Sequence, residues 1–278
     1  KEFEEYLQKI GVGFYTGVPD SQLKAFCDFI EDKYGISDNH IIAPNEGNAV
    51  ALASGYHLST GKYGLVYMQN SGLGNAVNPI TSLTDPNVYN IPVIYIIGWR
   101  GEPGVHDEPQ HVKQGAITTD LLELLDINYK ILTKETTLED IKKVFDEKFN
   151  DNLANGKSVA FVVSKGAFEK FKKEKSNDNS LSREDAIKTV IDNLTLDDII
   201  VSTTGKASRE LFEYREAKEQ GHSNDFLTVG SMGHSSTIAL SIALNKKSKR
   251  ILCFDGDSAG EEATISAIQV LKEMGITP

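Results

Sequence analysis

A chain of 278 residues, 40% hydrophobic and 25% charged, has an ordinary globular composition and, at ~150 residues per domain, room for about two cores. Its formal charge of −11, from 29 Lys and Arg against 40 Asp and Glu, excludes a scaffold held to nucleic acid by phosphate neutralisation; a small anion can still be met by local cations or a helix N-terminus. Two cysteines, Cys27 and Cys253, neither in a CxxC pair, fit a reduced cytoplasmic protein, and no run nears the ~20 apolar residues that span a bilayer, so a soluble chain without a membrane partner is expected. The chain begins at Lys1 rather than Met, and a start further upstream is expected.

In chain order, apolar spacing predicts a charged amphipathic helix over 1–10, a strand over 13–16, the turn Gly17-Val18-Pro19-Asp20 and a helix carrying Leu23, Phe26, Phe29 and Ile30. The unit then repeats: strand 40–43 before helix 46–60, strand 64–69 before a helix from about 74, and strand 92–98 before a Gly- and Pro-rich loop. Strands over 127–132 and 158–163 flank a helix over 137–150. Short apolar strands alternating with helices predict a parallel, doubly wound α/β sheet, closing as a first domain over 1–165. Residues 166–181, rich in Lys, Ser and Asn, read as a solvated linker. The pattern restarts with helix 182–193, strand 199–203, helix 208–213, strand 226–229, helix 235–244 and strand 250–254. A second doubly wound domain is therefore expected over 182–278.

Few groups stand out as chemistry. The glycines Gly11, Gly13 and Gly17 flank a strand instead of bridging strand to helix, so they read as turn formers and not as a dinucleotide fingerprint. Glu46 opens a helix among Ile41, Ile42, Ala43, Val50, Ala51 and Leu52. A carboxylate there takes up a proton more readily unless paired and can share it with a ligand nitrogen; taken by itself, a helix-start acid stabilised by the macrodipole is the preferred reading. In the second half, Leu252-Cys253-Phe254-Asp255-Gly256-Asp257 is a strand ending in two acids, where parallel sheets bind ligands and where carboxylate oxygen suits Mg²⁺. Gly230-Ser231-Met232-Gly233-His234 links a strand to a helix. His106 and His111, with Asp107 and Glu108 between them, lack a standard zinc spacing.

Taken together, a helix-start Glu, a strand-Gly-x-Met-Gly turn and a strand-Gly-Asp end resemble the thiamine diphosphate-dependent 2-oxo acid decarboxylases. The segments Gly17-Val18-Pro19-Asp20-Ser21, Asn45-Glu46-Gly47-Asn48-Ala49, Gln69-Asn70-Ser71-Gly72-Leu73-Gly74-Asn75, Gly98-Trp99-Arg100-Gly101 and Thr203-Thr204-Gly205-Lys206 are similar to the phosphonopyruvate decarboxylases, with sulfopyruvate decarboxylases as close kin. The resemblance covers nearly the whole chain and weakens after Asp257.

The resemblance implies a pyrimidine-binding domain over 1–165 and a diphosphate-binding domain over 182–278, incomplete as written. It implies that Glu46 bonds N1′ of the aminopyrimidine, that the Gly230 carbonyl accepts from the 4-amino group, and that Met232 wedges the cofactor into its bent form. Gly205 and Gly256 would lie at the diphosphate, and Asp257 would ligate Mg²⁺. The implied reaction is decarboxylation of 3-phosphonopyruvate to phosphonoacetaldehyde, with Asp20 and His106 as the relay that returns a proton. The anionic end of this small 2-oxo acid needs cations, and Arg100, Lys113 and Lys206 are the candidates, although each also reads as solvated surface. The family further implies a homo-oligomer with sites shared between chains. Three alternatives remain: a sulfopyruvate decarboxylase, a catalytically inactive partner subunit, and an acetolactate synthase-like carboligase. Glu46 weighs against the second, and the lack of room for a middle domain against the third.

Past Asp257 the sequence departs from the family's metal motif: Ser258 replaces a Gly, and no later Asn completes Mg²⁺ ligation. Residues 259–274 predict an amphipathic helix with Ile265, Ile268 and Leu271 on one face, and 275–278 head into a strand. The expectation is an omitted stretch at the 257–258 junction, marked by a Cα spacing beyond about 3.8 Å.

Overall fold

The computed structural model describes residues 1–171, 182–231 and 233–255. Its contacts divide the chain into two units, Lys1–Ser176 and Asn177–Pro278. The predicted helix 259–274 and the 257–258 junction lie outside the described residues.

The first unit runs α1 (Glu2–Lys9), β1 (Val12–Gly17), α2 (Lys24–Tyr34), β2 (His40–Ile42), α3 (Glu46–Thr60), β3 (Tyr63–Gln69), α4 (Leu73–Pro79), β4 (Val93–Gly98), α5 (Pro109–Leu124), β5 (Asn128–Leu132), α6 (Leu138–Val144), α7 (Asn150–Ala154) and β6 (Val159–Val163). Its six strands pair in parallel in the order β2-β1-β3-β4-β6-β5. The chain leaves β1 in one direction for β2 and returns on the other side at β3, so the order reverses between β1 and β3. In such sheets the crevice at that reversal, outside the carboxyl ends of the strands, is where ligands bind.

Both faces of the sheet are covered, which is why the strands read as unbroken apolar runs. Ile94 and Ile96 of β4 and Phe161 of β6 face Leu7, Phe26, Ile30, Phe145 and Phe149. The alternate residues Tyr95, Ile97 and Val162 face Ala49, Val50, Ala53, Leu73 and Leu122. Helix α3 starts where Asn45 caps it, its Oδ1 accepting from Gly47 N–H at 2.8 Å, and stops at Gly61 in the left-handed region with φ 71°.

The observed elements depart from expectation in the first unit in three places. Residues 109–124 form a sixteen-residue helix, α5, in a stretch read as loop; its buried side is Gly115, Thr118 and Leu122, which carries almost no apolar signal. The helix expected over 137–150 is capped by Thr137 but passes through a π turn at Phe145–Phe149 and continues to Ala154. Finally, Ala167 and Phe168 pack on the first core, with the Phe168 ring 5.7 Å from Phe3 and 5.8 Å from Phe26, so the chain after β6 is not simply solvated.

The second unit contains α8 (Arg183–Asp192), β7 (Ile199–Ser202), α9 (Lys206–Ala217), β8 (Asp225–Leu227), α10 (Ser235–Asn245) and β9 (Ile251–Phe254). The described strands pair in parallel in the order β8-β7-β9, reversing between β7 and β9. Ile187, Ile191 and Leu211 of α8 and α9 cover Ile200 and Phe254 on one face, while Ala239 of α10 covers Val201 and Ile251 on the other. Among the described residues no helix is long and apolar enough to cross a membrane.

Candidate active site

Two constellations form at carboxyl ends of strands, one in each unit. In the first unit, β1 ends at Gly17, whose Cβ, if it had one, would lie 1.9 Å from the Tyr67 carbonyl oxygen. Only glycine lets β1 and β3 run so close before the chain turns through Val18 and Pro19 to Asp20. The Asp20 carboxylate is 4% exposed and accepts from the N–H groups of Gln22 at 3.0 Å and Leu23 at 3.3 Å. Gly98, at the end of β4, makes room for it: a Cβ there would stand 2.4 Å from Asp20 Oδ2. Burial pushes the Asp20 carboxyl up to about 6, with Arg100 and the backbone N–H groups acting against that rise.

Glu46, at the first turn of α3, is 3% exposed. Its carboxylate reaches the first turn of α4, where Oε2 accepts from Asn75 Nδ2 at 2.8 Å. The opposite side packs on Gly72, where a Cβ would lie 2.5 Å from Glu46 Cγ and Oε1. Glu46 therefore ties the start of α3, which follows β2, to the start of α4, which follows β3, the two strands that flank β1 at the reversal of strand order. Among the described residues no cation pairs with it. A third buried acid shows the contrast: Glu4, 2% exposed, is satisfied by Lys33 Nζ at 2.6 Å and by the hydroxyls of Tyr34 and Tyr15. Glu4 anchors α1; Glu46 and Asp20 are buried without such an ion pair.

Arg100 follows β4 and is held by Asp107 through Nε at 2.7 Å and Nη2 at 2.6 Å. That pairing holds the Asp107 carboxyl well below the usual carboxylate range. Trp99 Nε1 donates to the Gly115 carbonyl at 2.9 Å, and Gly115 lies so close to Gly101 that a Cβ would be 1.6 Å from its oxygen, which seats α5 against this turn.

His106 is exposed in the loop before α5. His111, on α5, is half-buried, and burial followed by the Arg100 charge lowers its proton affinity. Lys113, expected in a loop, is exposed on α5, and Lys206, expected likewise, is the first residue of α9; the stretch of α5 was read as loop, and α9 starts two residues before its expected first residue, 208. Sequence reasoning passed over Asn75, Gly72 and Gly98 as site residues, and took Asp107 only as a metal candidate. Among the described residues no group of three or more His, Cys, Asp or Glu is placed to hold a metal.

In the second unit, Gly205 follows β7 with φ 89° and caps the twelve-residue helix α9. Such an N-terminus presents N–H groups to an anion. Thr204 Oγ1 donates to the Val229 carbonyl at 2.8 Å, tying this turn to the half-buried Gly230 after β8. Asp255, at the end of β9, accepts from Ser235 Oγ at 3.2 Å. Met232, Gly256 and Asp257 lie outside the described residues. Two cavities in the first unit, of about 630 and 840 Å³, are lined by neither Glu46, Asp20 nor Arg100.

Residues 2–124 match the family described as thiamine pyrophosphate enzyme, N-terminal TPP binding domain. Residues 214–278 match a family described as Toprim-like, a stretch that includes Asp255 and everything after Asp257. The chain is similar to phosphonopyruvate decarboxylase of Streptomyces viridochromogenes, 31% identical over 94% of this chain and 68% of that one. It is also similar to phosphonopyruvate decarboxylase of Streptomyces hygroscopicus, 31% identical over 94% of this chain and 67% of that one. Sulfopyruvate decarboxylase subunit alpha of Methanothermobacter thermautotrophicus is 33% identical over 56% of this chain and 90% of its own length. With near-full-length similarity of this kind, and a parallel sheet carrying buried Glu46 and Asp20 at its reversal, the chain belongs to the phosphonopyruvate decarboxylase family of thiamine diphosphate-dependent 2-oxo acid decarboxylases.

Proposed function

We propose that the chain decarboxylates 3-phosphonopyruvate to phosphonoacetaldehyde and CO₂ with thiamine diphosphate and Mg²⁺. The observation that carries this reading is the buried Glu46 carboxylate, cradled by Gly72 and Asn75 with no neutralising cation among the described residues. A carboxylate so placed fits a ligand nitrogen with which it shares a proton. The first unit is thus the pyrimidine-binding half, and the second, with Gly205 at the start of α9, the diphosphate-binding half. The cofactor, when bound, supplies the electron sink for the pair left as CO₂ departs.

The chain's own residues supply the rest. Glu46 would hold and return the proton at N1′ of the pyrimidine and Gly230 would offer its carbonyl to the 4-amino group, while Met232, outside the described residues, is the sequence candidate for an apolar support to the ring. Gly205 would give its backbone N–H to the diphosphate, and Gly256 and Asp257, outside the described residues, are the sequence candidates for the diphosphate and for Mg²⁺. Asp20, its carboxyl near 6, would give a proton to the carbon that loses CO₂ and take one back from the adjacent hydroxyl as the aldehyde leaves; His106 would be the second member of that relay. Lys113 and Lys206 are the cations offered to the phosphonate; Arg100, the third candidate from the sequence, is already held along one edge by Asp107. The chain works as a homo-oligomer with each site shared between two copies.

The match to a sulfopyruvate decarboxylase subunit favours sulfopyruvate as the second reading. Side-by-side CO₂ release from the two acids, with the aldehyde product identified, tests the choice. Faster turnover of 3-phosphonopyruvate is expected, and preference for sulfopyruvate would replace it.

A further inference from the structure

Arg100 is held at more points than reading an anion requires. Its backbone N–H donates to Asn70 Oδ1 at 3.2 Å, and its carbonyl accepts from Asn70 Nδ2 at 2.8 Å. Asp107 takes the Nε and Nη2 side of the guanidinium and is itself fixed by the N–H groups of Gly101 at 2.9 Å and Glu108 at 2.8 Å. The remaining nitrogen, Nη1, donates to Ser21 Oγ at 3.3 Å, one residue from Asp20. Gly98, two residues before Arg100, packs directly on Asp20. A guanidinium fixed at its backbone and along one edge cannot follow a ligand, and three carboxylates, Asp107, Asp20 and Glu108, act on its single charge.

We propose that Arg100 and Asp107 form a positioning pair for Asp20: Asp107 and Asn70 hold the guanidinium as the fixed countercharge beside the buried Asp20 carboxylate, so that the charge state of Asp20 depends on the pair. This rests on the reading of Asp20 as the acid of the decarboxylation. The groups facing Asp20 are Arg100 from the loop after β4 and the Cys27 thiol of α2, with the N–H groups of Gln22 and Leu23. Behind Arg100 stand Asp107, Glu108 and His111. Burial pushes Cys27 up to about 12, so the thiol stays neutral, and His111 is driven toward its neutral form. Arg100 is then the cation that acts on Asp20 across the neutral range.

Infrared difference titration of the cofactor-free protein, with Asp20→Asn as the subtraction that isolates one carboxyl band, reads this without turnover. Wild-type Asp20 is expected to titrate at about 6. Arg100→Met should raise that midpoint by about one unit or more. Arg100→Lys, which keeps the charge and loses the side-on pair, should raise it by less, and carries the comparison if the Met variant does not fold. Asp107→Asn should move the midpoint upward as the released guanidinium turns to water, and Asp107→Glu should restore it. An unchanged midpoint in the Arg100 variants, or a downward shift in Asp107→Asn, overturns the proposal. In the holoenzyme the acid limb of kcat should follow the midpoint with KM unchanged; a raised KM with the limb unmoved makes Arg100 an anion hook and likewise overturns it. Wild-type protein that titrates as expected but releases no CO₂ from either acid refutes the decarboxylase reading while supporting the pair.

Discussion

Replacing Gly72 by Ala asks whether the Glu46 carboxylate must sit where it does. Gly72 closes the 3₁₀ turn Asn70–Gly72 after β3, with φ −72° and ψ −16°, a conformation open to any L residue. Backbone strain is therefore absent, and the loss of glycine's freedom in the unfolded chain alone would stabilise by about 0.4–1 kcal/mol. What the new methyl meets is Glu46: its Cβ would lie 2.5 Å from Cγ and Oε1 and 2.6 Å from Cδ. Reaching a normal contact of about 3.5 Å requires a retreat of about 1 Å. Glu46 is 3% exposed and retreats only by straining its 2.8 Å bond from Asn75. Overpacking of this kind costs about 1–3 kcal/mol, so the net loss is about 0–2.5 kcal/mol and the protein stays folded. Activity responds differently, because misplacing a reacting group by ~1 Å costs ~100-fold in rate. Urea unfolding should thus show a modest loss of stability, and CO₂ release at saturating cofactor a fall of ~100-fold. Wild-type turnover in a folded Gly72→Ala protein would refute the claim that this cradle positions a reacting carboxylate.

Other expectations follow from the same geometry. The Asp20 carboxyl rises from 3.8 to about 6 on folding, so the folded state binds this proton more tightly than the unfolded one; the stability it lends is full below about pH 4 and lost as pH rises through 6. At 1.36 kcal/mol per unit this amounts to about 3 kcal/mol. Asp20→Asn, which keeps an acceptor for the Gln22 and Leu23 N–H groups, should therefore be more stable than wild type at pH 8 by about 1–3 kcal/mol in urea unfolding and less active; a less stable variant at pH 8 contradicts this. Gly115→Ala, whose Cβ would stand 1.6 Å from the Gly101 oxygen, should push α5 off the turn at Trp99 and shift the emission of that single tryptophan to the red; unchanged emission would mean that α5 is not seated there. Mixing Glu46→Gln chains with Asp257→Ala chains should recover part of the lost activity if sites are shared between copies, and no recovery counts against the sharing.

Legibility followed the strength of the local signal. Helix α3 matches its expected 46–60 bounds residue for residue, because Asn45 caps it and Gly61 ends it. Glu46 stands out because it opens a helix in an apolar stretch, whereas Asp20 is singled out only through the resemblance; both follow strands of a covered parallel sheet, which read as apolar runs. Helix α5 was missed because its buried side is Gly, Thr and Leu; Pro109 at its first position, preceded by Glu108, was the usable sign. The Arg100–Asp107 pair was not legible, since a side-chain pair across a loop leaves no periodicity. Nor was the choice of histidine: His106 and His111 are alike in sequence, yet one is exposed and the other half-buried beside Arg100. The departure noticed at Ser258 falls within the stretch that matches the Toprim-like family.

The central claim is that buried Glu46 activates thiamine diphosphate for decarboxylation of a 2-oxo acid. Thiamine diphosphate-dependent CO₂ release from 3-phosphonopyruvate, compared between wild type and Glu46→Gln at saturating cofactor and Mg²⁺, tests it most directly. The amide keeps the size of the side chain and the acceptor for Asn75 but has no proton to share. The account predicts a folded variant that has lost most of its turnover, on the order of 100-fold or more. Near-wild-type CO₂ release by Glu46→Gln would contradict it.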